Sequence, residues 1–145
     1  MPEDWREIEI DWQGGLGFVG HNPRGVDVQI GQVDDKPGAS PMELVLMSLA
    51  GCTGMDVISI LEKKKQNITD FKIKVRGLRK QDHPKSYTQI EVTFHFWGQA
   101  IDTEAVERAI HLSESKYCSV SAMLKEASNI HINYEIHQSE PELRF

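Results

Sequence analysis

The fold of this chain is decided by the stretch from Ser40 to Leu61, which reads SPMELVLMSLAGCTGMDVISIL. Its first residues are typical of a helix N-terminus. Ser40 is placed to serve as the N-cap, Pro41 occupies the first helical position, and Glu43 is placed to complete a capping box. From Met42 onward, apolar residues face almost every direction around the helix axis. A helix that is apolar on all faces is buried, so the stretch predicts a long central helix within a core or between subunits.

Short strands are predicted before this helix. Two turn signals separate the short apolar segments of this region, Gly14-Gly15 and Asn22-Pro23-Arg24-Gly25. A polar loop from Gln32 to Ala39 then leads into the helix. The predicted strands are Trp5 to Trp12, Leu16 to Gly20 and Val26 to Ile30.

Longer strands are predicted after the helix. Apolar and polar residues alternate from Phe71 to Val75 and again from Ile90 to Phe96. A period of two is typical of an antiparallel sheet with one buried face, and the polar segment between the two strands is expected to form a hairpin loop. The elements expected next are a helix capped by Asp102 or Thr103 and reaching Tyr117, a short helix from Ser119 or Ser121 through Leu124, and a strand from Ile130 to Ile136.

These elements predict an α+β fold in which antiparallel sheets flank the long buried helix. We expect one domain over residues 1–145, which is long enough for a single core. Residues 1–39 would hold the N-terminal strands and loop, 40–66 the central helix, and 67–137 the later strands and helices. A helix that is apolar on every side needs cover on every side, and one small sheet with two modest helices covers too little. The chain is therefore expected to form a homodimer in which the central helices of two subunits pack together.

The central stretch is close to the length of about 20 residues that a membrane-spanning helix needs. Glu43 and Asp56 lie inside it, Gly51 and Gly54 weaken it, and no second apolar run is present. A buried helix of a soluble protein is therefore expected, without a membrane partner.

Composition is that of a soluble globular protein, with 39% hydrophobic and 26% charged residues. The formal net charge of −6 argues against nonspecific binding of nucleic acid, which needs a basic surface. The N-terminal segment Met1-Pro2-Glu3-Asp4-Trp5 lacks the features of a signal peptide. Two cysteines in such a chain suggest reduced thiols and a cytoplasmic location.

Cys52 and Cys118 are the two cysteines of the chain, and their placement governs its chemistry. Their separation excludes a CxxC redox motif and a compact zinc knuckle. If the fold brings them together, they form a peroxide-reducing pair, and otherwise they are core thiols. The six histidines share no metal-ligand spacing in the sequence.

A reactive Cys52 requires a nearby cation, because a thiol about three turns inside an apolar helix gains little from the helix dipole. Arg24, in its glycine-flanked turn, is the first candidate for this cation, and Arg76 and Arg79 are weaker ones. Asp56 lies four residues after Cys52 and therefore on the same helix face. It is expected to have a solvated or hydrogen-bonded structural role, and the alternative is that it caps a group or holds a cation at the site. Cys118 is predicted at the start of a helix, where backbone N–H groups favour an anion.

The two cysteine motifs resemble those of the OsmC/Ohr family. The stretch from Ser40 to Thr53 is similar to the family's signature helix, with its proline, acid, leucine, small residues and cysteine. The segment Lys116-Tyr117-Cys118-Ser119-Val120-Ser121 resembles the family's second cysteine motif. Gly51-Cys52-Thr53-Gly54-Met55-Asp56-Val57 is more similar to the OsmC-like branch than to the well-studied hydroperoxide reductases.

The resemblance implies an intertwined, swapped homodimer with active sites at the subunit interface, and it implies that no metal or bound cofactor is required. It also implies that Cys52 attacks the peroxide O–O bond and that Cys118 resolves the resulting sulfenic acid as a disulfide, which a dithiol donor reduces. In the hydroperoxide reductases, a glutamate ten residues before the first cysteine pairs with an activating arginine on an N-terminal loop. Met42 holds that position here, and Glu43 points about 100° away, which favours its capping role. Arg24 lies in the region of that arginine.

Two functions are therefore considered. The first is a thiol-dependent peroxidase that reduces organic hydroperoxides, and possibly hydrogen peroxide, in defence against oxidative stress. The second is a noncatalytic dimer that binds a small hydrophobic molecule in an apolar interface pocket. A hydrolase or acyl-transfer role for Cys52 ranks third, because no His–acid partner is evident in the sequence.

Overall fold

The protein is described here by a computed structural model that covers residues 3–138. Strands and helices follow one another as an α+β arrangement, and the predicted fold class is confirmed. The elements are β1 Glu9–Trp12, β2 Phe18–His21, β3 Asp27–Ile30, α1 Pro41–Lys63, β4 Asn67–Arg79, β5 Tyr87–Gln99, α2 Thr103–Leu112, a π-helical turn Ser113–Tyr117, α3 Ser119–Leu124 and β6 Asn129–Gln138.

The chain forms two compact units, and the first ends at Val45. Its strands form an antiparallel sheet in the order β1-β2-β3. Gly14 and Gly15 have positive φ at the first turn, and the Asn22 side chain accepts the backbone N–H groups of Arg24 and Val26 at the second. Both predicted turns are confirmed. The first strand is shorter than predicted, because its pairing with β2 ends where β2 itself turns away after His21.

The start of α1 is fixed by a reciprocal capping box. The Ser40 backbone N–H donates to Glu43 Oε1 at 2.9 Å, and the Glu43 backbone N–H donates to Ser40 Oγ at 3.1 Å. The bond from the Ser40 backbone lowers the pKa of the Glu43 carboxyl. The predicted capping box is therefore confirmed, and the carboxylate of Glu43 is committed to it.

The second unit begins at Leu46 and contains a sheet in the order β4-β5-β6. Strands β4 and β5 form the predicted antiparallel hairpin, but β6 runs parallel to β5. A parallel neighbour needs a long crossover connection, and α2, the π-helical turn and α3 supply it between these two strands. One pairing thus differs from the expected antiparallel arrangement.

One face of this sheet and one stripe of α1 form the core of the second unit. The β5 side chains Phe94 and Phe96 are buried, and the Phe71 ring of β4 stacks on Phe96 with centroids 4.8 Å apart. A Cβ atom at Gly54 would lie 2.6 Å from Ile73 Cδ1, so glycine allows α1 to approach the sheet closely. The other buried core residues include Leu49, Val57, Leu61, Ile90, Val92, Val106 and Ala109.

The sequence predicted that α1 is buried on all faces, but within a single chain only one face of α1 is buried. Leu49, Val57 and Leu61 are fully buried, whereas the side chains of Met47 and Met55 are 57% and 74% exposed. By length and composition alone, α1 is able to cross a membrane. Its buried stripe lies in the core of the second unit.

Candidate active site

The fold brings the two cysteines together. The Sγ atoms of Cys52 and Cys118 and a carboxylate oxygen of Asp56 all lie within 4.8 Å of one another. Both cysteines are free thiols; Cys52 is half-buried and Cys118 is 3% exposed. The sequence left open whether the fold brings Cys52 and Cys118 together, and the structure places them close to each other.

Helix α1 supplies two members of this cluster. Cys52 and Asp56 are separated by one helical turn, so their side chains lie on the same face, as expected from the sequence. Thr53 between them is buried, and its hydroxyl donates to the carbonyl of Leu49 at 2.9 Å. This bond satisfies the hydroxyl within the helix, so Thr53 does not contribute its hydroxyl to the cluster.

The π-helical turn after α2 supplies the other side of the cluster. The Cys118 backbone N–H donates to the carbonyl of Ser113, five residues earlier, at 2.7 Å. The buried Ser113 hydroxyl donates to Asp56 Oδ2 at 2.9 Å. Single π-helical turns are frequent at functional sites, and here the wider turn accompanies the placement of both Ser113 and Cys118 beside Asp56.

Cys118 lies at the start of the short helix α3, as the sequence predicts, and its side chain caps that helix. The Ser121 backbone N–H donates to Cys118 Sγ at 3.3 Å. Burial raises the pKa of Cys118 to about 11; the N–H of Ser121 opposes this shift, and Cys52 and Asp56 add to it. Cys118 is therefore a protonated thiol at neutral pH.

The other residues singled out in the sequence have different contacts. Glu43 serves the capping box, and Arg24 lies in its turn in the first unit. The Arg76 guanidinium pairs with Glu91, and Arg79 donates to the carbonyl of Lys85 at 2.7 Å.

Ser113 is a member of the site that sequence reasoning did not identify. It lies on the otherwise apolar face of the second helix, next to Val106, Ala109 and Ile110 in the helical pattern. A hydroxyl on a buried face needs a hydrogen-bond partner, and here that partner is Asp56. The sequence signal that could have identified Ser113 is the presence of a polar residue on an apolar helix face.

A surface cavity adjoins the cluster. Its volume is about 330 Å³, and its lining combines an acid, a cation, a phenol and apolar side chains. Asp56 belongs both to this cavity and to the thiol cluster, so the cavity borders the cluster at Asp56, and neither cysteine is among its lining residues. The lining residues are Met55, Asp56, Ser59, Ile60, Lys63 and Tyr117.

The arrangement permits two kinds of chemistry. Two thiols in contact range can form a disulfide after one is oxidised. The two sulfur atoms and one carboxylate oxygen are also close enough to share a metal ion. Among the described residues, the cluster of Cys52, Cys118 and Asp56 therefore combines two thiols with one carboxylate.

Comparison of sequences identifies relatives of known family. The sequence model described as OsmC-like protein matches residues 33–133, which are more than half of the chain. Protein YhfA of Escherichia coli K12 is 37% identical over 130 residues, or 90% of this chain and 97% of YhfA.

Comparison of structures finds proteins with the same fold. A protein from Aquifex aeolicus VF5, known from its crystal structure, is 36% identical, with a TM-score of 0.85 over 95% of this chain and 100% of its own. The organic hydroperoxide resistance protein OhrB of Bacillus subtilis is 17% identical, with a TM-score of 0.61 over 91% of this chain and 98% of its own. At that identity, OhrB shows a shared fold.

Proposed function

This chain belongs to the OsmC-like protein family, and we propose on that premise that it is a thiol-dependent peroxidase that reduces organic hydroperoxides. The observation that carries the proposal is the approach of Cys52 to Cys118 across elements about 65 residues apart in sequence. The fold shared with a protein named for organic hydroperoxide resistance supports the same reaction class.

Cys52 is the attacking thiol in this proposal. It is half-buried rather than sealed in the core, whereas Cys118 is almost fully buried and protonated. The Cys52 thiolate attacks the terminal oxygen of the hydroperoxide, the O–O bond breaks, and the alkoxide leaves and takes up a proton as an alcohol. Cys52 becomes a sulfenic acid, and the peroxide has gained the two electrons that the sulfur has lost.

Cys118 resolves this intermediate. Its sulfur attacks the sulfur of Cys52, the S–S bond forms, the S–O bond breaks, and the hydroxide leaves with the proton of Cys118 as water. Asp56 is proposed to accept and pass on that proton, because its carboxylate lies within 4.8 Å of both sulfur atoms and Ser113 holds it there. An external dithiol then reduces the disulfide and restores both thiols.

The cavity beside Asp56 is proposed to admit the substrate. Its apolar side chains suit the organic part of a hydroperoxide, and its volume is at the lower end of the range for small-molecule sites. A small organic hydroperoxide is therefore the proposed substrate, ahead of hydrogen peroxide. Arg24 is proposed as the cation that activates Cys52, as the family resemblance implies.

A homodimer in the cytoplasm is part of the same proposal. The exposed side chains of Met47 and Met55 leave an apolar face of α1 uncovered in a single chain. Large exposed apolar faces on a long helix are typical of interfaces, and a second copy with its own α1 would cover this one.

Steady-state turnover tests the proposal. With a dithiol reductant, the protein is expected to consume cumene hydroperoxide faster than hydrogen peroxide. Cys52→Ser should abolish turnover, and Arg24→Ala should slow the attack of Cys52 while leaving its later resolution unchanged. Turnover that persists in Cys52→Ser would exclude Cys52 as the attacking group, and absence of turnover in the wild type would favour the noncatalytic binding function.

A further inference from the structure

The outer face of the second sheet carries a cluster of potential metal ligands that is separate from the thiols. His95 projects from β5, and Glu135 and His137 project from the neighbouring strand β6. The parallel register pairs His95 with Glu135 and Trp97 with His137, which places alternate residues of both strands side by side. The opposite face of β5 carries the buried Phe94 and Phe96, so this cluster lies on the other side of the sheet from the core.

The ligand atoms of the cluster lie close together. His95 Nδ1 lies 3.1 Å from Glu135 Oε2 and 3.3 Å from His137 Nε2. His137 Nε2 lies 3.8 Å from the same Glu135 oxygen. Two imidazole nitrogens and one carboxylate oxygen therefore form a small triangle open to solvent on one side.

The size of this triangle matches the coordination sphere of zinc. Zn–N bonds are about 2.0–2.1 Å and Zn–O bonds about 2.0–2.2 Å long, and the edge of a tetrahedron is about 1.63 times its centre-to-corner distance, or about 3.3–3.6 Å. The three observed separations of 3.1, 3.3 and 3.8 Å lie below, within and above that range. Little movement would bring all three atoms to bonding distance of one ion.

Packing holds the ligands in this orientation. The rings of His95 and His137 are nearly parallel, at 9°, with centroids 5.6 Å apart, and Trp97 stacks on His137 at 4.8 Å. The side chain of His95 is 15% exposed, whereas those of His137 and Glu135 are 41% and 60% exposed. Ligands that project from paired strands are better fixed than ligands on loops, and the exposed side leaves a coordination position for water.

We propose that His95, Glu135 and His137 form a binding site for one divalent transition-metal ion of the zinc class. Two neutral imidazoles and a carboxylate are a common ligand set for Zn²⁺. The sequence gives no spacing signal for this site, since His95 is 40 residues from Glu135 and only the parallel pairing of β5 and β6 joins them. The site is independent of the proposed peroxidase chemistry.

Calorimetric titration with Zn²⁺ alone tests the site. The protein used should have no affinity tag. It should also contain both substitutions Cys52→Ser and Cys118→Ser, because the thiol cluster is close enough to bind a metal ion as well. We expect one Zn²⁺ per chain. His95→Ala and His137→Ala should each weaken binding at least about 100-fold, since even loss of groups that only orient a ligand weakens metal binding 10- to 100-fold. Glu135→Gln, at an exposed position, should weaken it without affecting the fold.

His131→Ala is the matched control. His131 lies on the same strand and the same face, four residues before Glu135, and outside the triangle. It should leave Zn²⁺ affinity unchanged. Replacement of Zn²⁺ by Co²⁺ should give the intense visible absorption of a tetrahedral site, without a thiolate band, and Glu135→Gln should remove it.

Several outcomes would overturn the proposal. These are no heat of binding at millimolar Zn²⁺, unchanged affinity in Glu135→Gln, or equal loss of affinity in the His131→Ala control. Zn²⁺ bound only as a bridge between chains, seen as metal-dependent association in sedimentation, would also exclude a site within one chain. Far-ultraviolet circular dichroism of each metal-free variant separates loss of ligands from loss of fold.

Discussion

Burial and hydrogen bonding have opposite effects on the pKa of the Cys118 thiol. Burial raises the pKa to about 11, while the Ser121 N–H favours the thiolate and lowers it. The raised pKa keeps Cys118 protonated at neutral pH, which fits the proposed resolving cysteine, whose proton leaves with the hydroxide as water. The sequence indicated the helix start at this residue but not its burial, which depends on elements far away in the chain.

The pH dependence of Cys118 follows from that shift. In Cys52→Ser, alkylation of Cys118 by iodoacetamide should increase about tenfold per pH unit and level off only above the ordinary pKa of 9.0, because only the thiolate reacts and burial, the largest cause of the raised pKa, is retained. The unfolded chain loses this proton near the ordinary value of 9.0, so the free energy of unfolding should be unaffected below pH 9 and fall between about pH 9 and 11. A rate that levels off near pH 8.5 would contradict the assignment.

Substitution of Asp56 tests its proposed role as the group that accepts the proton of Cys118. If it accepts the proton of Cys118, Asp56→Asn should slow disulfide formation about 100-fold, the magnitude expected for loss of a general base. A purely electrostatic role predicts the opposite sign, because the negative charge of Asp56 raises the pKa of Cys118. The measurement is the lifetime of the Cys52 sulfenic acid, trapped with dimedone and followed by mass. Glu62→Gln, an exposed acid on the same helix, is the control.

At the scale of elements, local patterns predicted most of the structure. The cap at Ser40, the turns at Gly14-Gly15 and Asn22–Gly25, and the alternation in β4 and β5 each depend on neighbouring residues, and each is found. The parallel pairing of β6 and the π-helical turn were not predicted, because no local period encodes which strand becomes a neighbour. Both the position of Ser113 and the metal-ligand cluster depend on those two features.

Substitutions in the capping box distinguish a role of Glu43 in stability from a role in catalysis. Ser40→Ala removes the acceptor for the Glu43 backbone N–H and should lower the free energy of unfolding by about 1 kcal/mol. Glu43→Gln should leave peroxide turnover unchanged, since the carboxylate is committed to the Ser40 backbone. Urea denaturation and steady-state kinetics provide the two readouts. A large loss of turnover in Glu43→Gln, with stability retained, would give Glu43 a direct role in the site.

At the scale of the whole molecule, the sequence predicted a homodimer from the apolar surface of α1. A single chain covers one stripe of this helix and leaves Met47 exposed. Met47→Lys should therefore shift the protein toward the monomer in sedimentation velocity, because it places a charge in the proposed interface. Met123→Lys, at an exposed methionine of α3, should leave the oligomeric state unchanged. A wild type that sediments as a monomer at micromolar concentration would contradict the dimer.

The central claim is that Cys52 and Cys118 form a peroxide-reducing pair, and titration of the reduced protein with one equivalent of cumene hydroperoxide tests it most directly. Free thiols and intact mass are measured, with Cys52→Ser and Cys118→Ser in parallel. The account predicts rapid loss of two thiols and two hydrogen atoms in the wild type, a stable sulfenic acid in Cys118→Ser, and no reaction in Cys52→Ser. Two thiols that persist for minutes in excess peroxide would contradict it.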